Sequence, residues 1–248
     1  GIWGENSAYM RSVDHARLLR GCDFFWDESP NPHGRLPSGA IATNVRSMKM
    51  GETLGSRTLF YSHGHDDISA AQLMGEALAR NNGCLGLTTW PQGDRAAVPE
   101  IAKAYARFLR EQPSWFCGTR SLARLAVFRD FESLAFNAWH PHLQAILCEQ
   151  ALLEHNIPFD LVFALDELGG RALVLPGCEC LSDAEIAAVF AHAEIGNLVA
   201  VIGEVGVYDE WRRRRPRPPF ASFKSGKAVT IGKGKILRWD EMRLPRRG

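Results

Sequence analysis

The residues best equipped for chemistry lie in "TLFYSHGHDD", Thr58 to Asp67, where an apolar run ends in Tyr61 and Ser62 and two histidines and two aspartates follow. His63, His65 and Asp67 match three positions of the H-x-H-x-D-H spacing of metal-dependent hydrolases, and the fourth position holds Ile68. A catalytic zinc needs at least three converging ligands and an open position. The spacing supplies the ligands, but a strand-then-helix rhythm surrounds them. A polar loop at the end of a parallel strand accounts for the same residues. The expectation is therefore no metal and no cofactor, with a metal-dependent hydrolase using His63, His65 and Asp67 as the weaker alternative.

Two other strand-like runs end in comparable residues. "CDFFWDESPN" closes on Trp26, Asp27 and Glu28, and "CLGLTTWPQGD" closes on Trp90. Carboxylates at the C-terminal ends of parallel strands are where barrel enzymes hold substrate. A tryptophan beside them suits a sugar, since the ring covers C–H groups while acids bind hydroxyls. A helix cap or loop acid explains Asp27 and Glu28 equally, and a core position explains Trp90. In "LPGCECLSD", Cys178 and Cys180 stand between a strand and a helix N-terminus, a place that can lower a thiol pKa. No histidine accompanies them, since His192 falls at the far end of the next helix, and packing is the simpler role. "WRRRRPRP" (Trp211–Pro218) reads as a solvated basic loop or a patch met by acids elsewhere.

Composition narrows the function class. The 248 residues carry a net charge of +1, which argues against a nucleic-acid binder or a membrane-surface protein. No apolar run reaches membrane-spanning length and no signal peptide is evident. Six cysteines without zinc-finger spacing, mostly in apolar surroundings, point to a reducing cytoplasm. The opening "GIWGEN" reads as the middle of a strand and its loop, so the chain is expected to be a fragment.

The elements that must position these residues alternate. Strand-like runs at Cys22–Trp26, Thr58–Ser62 and Cys84–Trp90 are interleaved with helical patterns at Ser12–Arg20, Asn44–Leu54 and Ala70–Asn81, and "AVPEIAKAYARFLREQ" follows. This order predicts a parallel sheet with right-handed crossovers. The rhythm breaks around Pro113–Ser121, and the domains are set at 1–117 and 118–248. In the second, "LARLAVFRD", "FDLVFA", "RALVLPG" and "NLVAVIG" read as strands and "NAWHPHLQAILCEQALLEHN" as one long helix with Pro141 in its first turn. Ser182 with Glu185 three residues on is a capping box, and "AVTIGKGKILRW" is a hairpin. The second domain is a three-layer, flavodoxin-like unit.

Taken together, these stretches resemble a known family. "SVDHARLLRGCDFFWDESPNP", "NVRSMKMGETLGSRTLFYS" and "NNGCLGLTTWPQGD" are similar to the strand-six, strand-seven and strand-eight regions of the family-42 β-galactosidases. "FNAWHPHLQAILCEQALLEHNIPFDLV", "LVLPGCECLSDAEIAAVF" and "NLVAVIGEVGVYDEWRRRR" resemble their glutamine-amidotransferase-like trimerisation domain. The resemblance implies the C-terminal half of a (β/α)8 barrel followed by a class I amidotransferase-like domain. It implies glycoside hydrolysis of a carbohydrate substrate, with neither nucleic acid nor membrane as partner, and a homotrimer. Retaining enzymes of this kind use two carboxylates. The family's acid/base follows strand four, outside this sequence, and its nucleophile is a Glu ending strand seven, where Tyr61 stands here. Glu28 or Tyr61 is then the catalytic candidate, with Trp26, Asp27, His63 and Trp90 binding substrate. The alternative is a degenerate member that binds carbohydrate, or serves assembly, without cleavage.

Overall fold

The structure, a computed structural model, describes residues 13–27, 34–35, 41–62, 67–80, 86–89, 100–137 and 139–243. It is mixed α/β, with strand pairing that is mostly parallel. The chain divides into two compact units, one within His15–Ser121 and one from Leu122 onward. Among the described residues no helix is long and apolar enough to cross a membrane.

The first unit runs α1 (His15–Leu19), β1 (Phe24–Asp27), β2 (Gly34–Arg35), β3 (Ile41–Ala42), α2 (Val45–Leu54), β4 (Arg57–Ser62), α3 (Asp67–Arg80), β5 (Gly86–Thr89) and α4 (Glu100–Glu111). β1, β4 and β5 form a parallel sheet in that order, while β2 and β3 pair antiparallel. α2 stops because Gly55 adopts a left-handed φ of 70° and returns its N–H to Glu52 O, which turns the chain into β4 within two residues. The apolar contact between Met48 of α2 and Leu73 of α3 ties these helices together.

Side chains alternate across a strand, so the two faces of this sheet differ. Asp27 and Thr58 are buried on one face. On the other, Phe24 is 59 % and Trp26 46 % exposed, and Arg57, the register partner of Phe24, is exposed beside them. Parallel sheets are ordinarily covered on both faces. This one presents aromatic side chains to solvent.

The second unit contains β6 (Leu125–Phe128), α5 (Phe131–Asn137), α6 (Trp139–Glu154), β7 (Asp160–Val162), β8 (Ala172–Pro176), α7 (Asp183–Glu194), β9 (Leu198–Ile202), β10 (Lys227–Ile231) and β11 (Gly234–Trp239). The sheet order is β10-β11-β9-β8-β6-β7, parallel throughout except for the β10–β11 hairpin. Continuous apolar runs such as "LAVF" and "ALVLP" suit strands covered on both faces. Phe128, Leu173, Leu175, Val199, Val201 and Ile236 are indeed buried, with Val189 and Ala193 of α7 packed on them. The Ser182–Glu185 box is formed: the Ser182 hydroxyl accepts from Glu185 N at 3.2 Å, and the Glu185 carboxylate accepts from Ser182 N at 2.8 Å.

One element departs from the sequence reading. The long helix expected from Asn137 is α6, but a short helix the sequence did not signal, α5, precedes it, because the buried Asp130 starts a turn directly after β6. Its Oδ2 accepts from Ser133 N at 3.0 Å, the usual N-cap bond. α6 then opens anew at Trp139, and Pro141 falls in its first turn, where no backbone N–H is needed.

The order of strands creates a topological switch. After β6 the chain moves to β7 on one side, and after β8 it moves to β9 on the other. The loops leaving β6 and β8 therefore diverge and leave a crevice outside their carboxyl ends, the position where open α/β sheets hold ligands.

Candidate functional site

The residues singled out on the first unit fall at one edge of its sheet where they are described. β1 ends in Trp26 and Asp27, β4 ends in Tyr61 and Ser62, and the register pairs Asp27 with Phe60 and Tyr61 with Thr88. The C-terminal ends of β1, β4 and β5 thus share one edge. Trp26 stands on the open face, and Asp27 is buried on the opposite one at 8 % exposure. Glu28, His63, His65 and Trp90 lie outside the described residues. Asp67 is the first residue of α3, and its Oδ1 accepts from Ile101 N at 3.3 Å, which supports the first turn of α4.

The second unit holds a cluster that reasoning from sequence passed over. Over the carboxyl ends of β8, β9 and β11, with the α5–α6 junction as one wall, a cavity of about 690 Å³ is lined by residues from five segments. Gly177, just after β8, takes a left-handed φ of 62°, and a Cβ there would sit 3.0 Å from the Gln144 Cβ and 3.1 Å from the Pro141 Cα. Only a glycine lets the first turns of α6 come this close to the strand end. That approach brings His140 beside Glu179, two residues beyond the glycine.

His140 bridges two carboxylates. Its Nδ1 meets Glu179 Oε1, and its Nε2 lies 2.6 Å from Glu241 Oε1, beyond β11. Glu179 also accepts from Asn137 Nδ2, and Asn137 Oδ1 in turn accepts from Arg212 Nε at 2.7 Å. Two ring nitrogens that each face a carboxylate need two protons, which suits the imidazolium. Burial, the largest influence on His140, pushes its pKa down, but the hydrogen bonds and charges of Glu179 and Glu241 outweigh it and the pKa is raised. Glu179, 5 % exposed, is also raised: its burial outweighs the His140 partnership.

The far wall is the segment after β11. Gln144, fully buried on α6, accepts from Met242 N at 2.8 Å and donates to Met242 O at 3.1 Å. Asp240 N donates to Ser225 Oγ at 3.0 Å. The segment is thus clamped by its backbone and latched by Glu241. Arg212 contributes from a turn in which its own φ is 60°, a conformation uncommon outside glycine.

The thiols nearby are not activated. Cys180 is pushed up to about 12, first by burial and then by the charges of Asp130 and Glu179. Cys178 is likewise raised well above its ordinary value, first by burial, with Asp130 adding to it. A nucleophilic cysteine needs the opposite environment. His192 is turned elsewhere, with its Nε2–H donating to Arg171 O at 2.8 Å. The basic run is largely consumed within the unit: Arg212 on Asn137, Arg213 on Asp209 at 2.7 Å, and Arg215 on Leu181 O at 2.7 Å and on Asp183 at 2.5 Å. Among the described residues no group of three His, Cys, Asp or Glu side chains is arranged to hold a metal ion.

No protein-family model and no curated protein sequence matches the chain. Solved structures do. A catalytic mutant of a family-42 β-galactosidase from G. stearothermophilus superimposes with a TM-score of 0.66 at 12 % identity, covering 92 % of this chain and 48 % of that one. The β-galactosidase from Bacillus circulans sp. alkalophilus gives 0.67 at 11 %, with the same coverage. An apo exo-carrageenase of family 42 from Bacteroides ovatus gives 0.61 at 14 %, covering 92 % and 36 %. The fold is similar to that of the family-42 glycoside hydrolases. The chain spans about half the length of the two β-galactosidases.

Proposed function

We propose that the protein acts on a carbohydrate, as a β-galactosidase-like glycoside hydrolase, through the C-terminal edge of β1, β4 and β5. The observation that carries this reading is Trp26, 46 % exposed at the end of a parallel strand on a face that other parallel sheets cover. A half-exposed indole at the edge where barrel enzymes hold substrate suits a sugar ring. The likeness to family-42 structures supports it. In this reading the three parallel strands belong to the C-terminal half of a (β/α)8 barrel. The second unit is the flavodoxin-like, amidotransferase-like domain through which the protein trimerises. Glu28 and Tyr61 are the catalytic candidates, and Trp26, Asp27, His63 and Trp90 are the substrate contacts.

A specific observation also favours binding without cleavage. β4, "RTLFYS", contains no carboxylate, whereas retaining hydrolysis requires two. One set of measurements separates the readings: lactose binding, and hydrolysis of a nitrophenyl β-galactoside, by the protein and its Trp26→Ala, Glu28→Gln and Tyr61→Phe variants. Hydrolysis lost in Glu28→Gln or Tyr61→Phe supports the enzyme. Binding without hydrolysis, weakened about tenfold or more by Trp26→Ala, supports the degenerate reading. Indifference of both measurements to Trp26→Ala removes the site.

A further inference from the structure

We propose that the cavity over the carboxyl ends of β8, β9 and β11, walled by the α5–α6 junction, is a second binding site, and that its ligand is a neutral carbohydrate. Four independent features converge there. The cavity lies beside the topological switch of the sheet, between the α5–α6 segment that follows β6 and the turns that follow β8, β9 and β11. Its volume of about 690 Å³ is that of a small-molecule pocket rather than a packing defect. Its walls are pre-organised: Asn137, His140, Glu179 and Glu241 are joined in one hydrogen-bonded chain, so little ordering is left for a ligand to impose. Arg212 is held toward the crevice from a left-handed backbone, the kind of local strain that collects at ligand sites.

The chemistry of the lining selects the ligand class. With His140 protonated, three cations (His140, Arg212 and Arg238) face four carboxylates (Glu179, Glu204, Asp240 and Glu241). Most of these charges already neutralise one another or bond to an amide: His140 with Glu179 and Glu241, Arg212 with Asn137, Arg238 near Asp240 at 4.0 Å. No strong field remains to select an ion. What remains is a ring of hydrogen-bond acceptors and donors, Glu204 being exposed on the wall, beside the rings of Phe136 and Tyr208. Phe136 is 40 % exposed and offers an apolar surface at the rim. Vicinal hydroxyls suit the acceptors and donors, and the C–H face of a pyranose suits the ring. The existence of a site rests on this geometry alone; the choice of a sugar over another polyol rests also on the proposed carbohydrate activity.

The test is backbone hydrogen–deuterium exchange of the full chain, with galactose, lactose or cellobiose titrated to its solubility limit. Protection of amides in 136–142 and 203–212 is expected, with the half-saturating concentration raised about tenfold or more by Glu204→Gln and by Phe136→Ala. Both substitutions are at exposed positions, so circular dichroism is expected to match the parent. If none of the three sugars protects these segments, or if both variants protect at the parent's concentration, the second site is refuted. Protection confined to the ends of β1 and β4 would refute it while upholding the site at Trp26. Protection confined to the second unit would do the reverse.

Discussion

His140, in the first turn of α6, and Glu241, just beyond β11, are joined at 2.6 Å although 101 positions separate them in the chain. The imidazole reaches Glu241 with one nitrogen and Glu179 with the other, so a single side chain ties the end of β8 to the segment that closes the cavity.

This bridge makes stability depend on pH in a defined direction. The folded-state pKa of His140 is raised from its ordinary value near 6.5, since Glu179 and Glu241 outweigh the effect of burial. The contribution is therefore complete below about 6.5 and is lost as pH rises through the folded pKa. Both His140 and Glu241 are more than a third exposed, so the Glu241 arm is worth no more than about 1 kcal/mol. Glu241→Gln is expected to lower the melting temperature at pH 6 and to leave it nearly unchanged at pH 9. An equal effect at both values would show that the bridge carries no charge.

Gln144 holds the same segment by its backbone. Gln144→Ala removes two part-buried hydrogen bonds to Met242 and leaves space in front of Gly177 and Gly203, at an expected cost of about 2–3 kcal/mol. Limited proteolysis then cuts sooner near Met242. Gly177→Ala combines a left-handed backbone with contact at 3.0 Å on Gln144, and is expected to cost about 1–2 kcal/mol or more in chemical denaturation. A Gly177→Ala protein as stable as the parent would mean that α6 does not rest on this turn.

Asp130 is buried and its Oδ1 lacks a hydrogen-bond partner among the described residues. Burial raises its pKa well above the ordinary carboxylate value, although its bond with Ser133 works the other way. Folding then takes up a proton at intermediate pH, and its stabilising effect is lost as pH rises above about 4. Asp130→Asn keeps a good N-cap for α5 and has no such charging cost. The variant is expected to melt higher than the parent at pH 7, with the difference closing toward pH 4. A variant that melts lower at pH 7 would contradict a raised Asp130 pKa.

Thiol labelling reads out the environment of the cysteines. Cys117 is exposed, whereas Cys148, Cys178 and Cys180 are buried, with pKa values raised to about 12 for Cys148 and Cys180 and raised also for Cys178. Iodoacetamide at pH 8 is expected to modify Cys117 in the native protein, and the other three only after denaturation. Fast native labelling of Cys178 or Cys180, followed by peptide mapping, would restore a nucleophilic role at the β8 turn.

Local pattern carried much of this molecule. Runs such as "LAVF", "ALVLP" and "LVAVI" contain too few polar groups to face water, so they declare themselves strands of a sheet covered on both sides. The Ser182–Glu185 spacing marks the start of α7 because that cap is made within one turn. The end of β4 at Tyr61 and Ser62, with no carboxylate, is equally plain from the residues. The crevice of the second unit is not. Asn137 and His140 read as ordinary helix residues, Glu179 as part of a turn, and Glu241 as a polar residue after a hairpin. A long-range hydrogen bond leaves no trace in local periodicity, because neither partner's spacing depends on the other. Glycines directly after two neighbouring strands, Gly177 and Gly203, are the one sequence signal that the chain packs closely there. Which strands are neighbours, and hence that the turns after β8, β9 and β11 meet the α5–α6 segment around a cavity, was decided by the strand order β10-β11-β9-β8-β6-β7. That order is set by the burial of the whole sheet and not by any one segment of it.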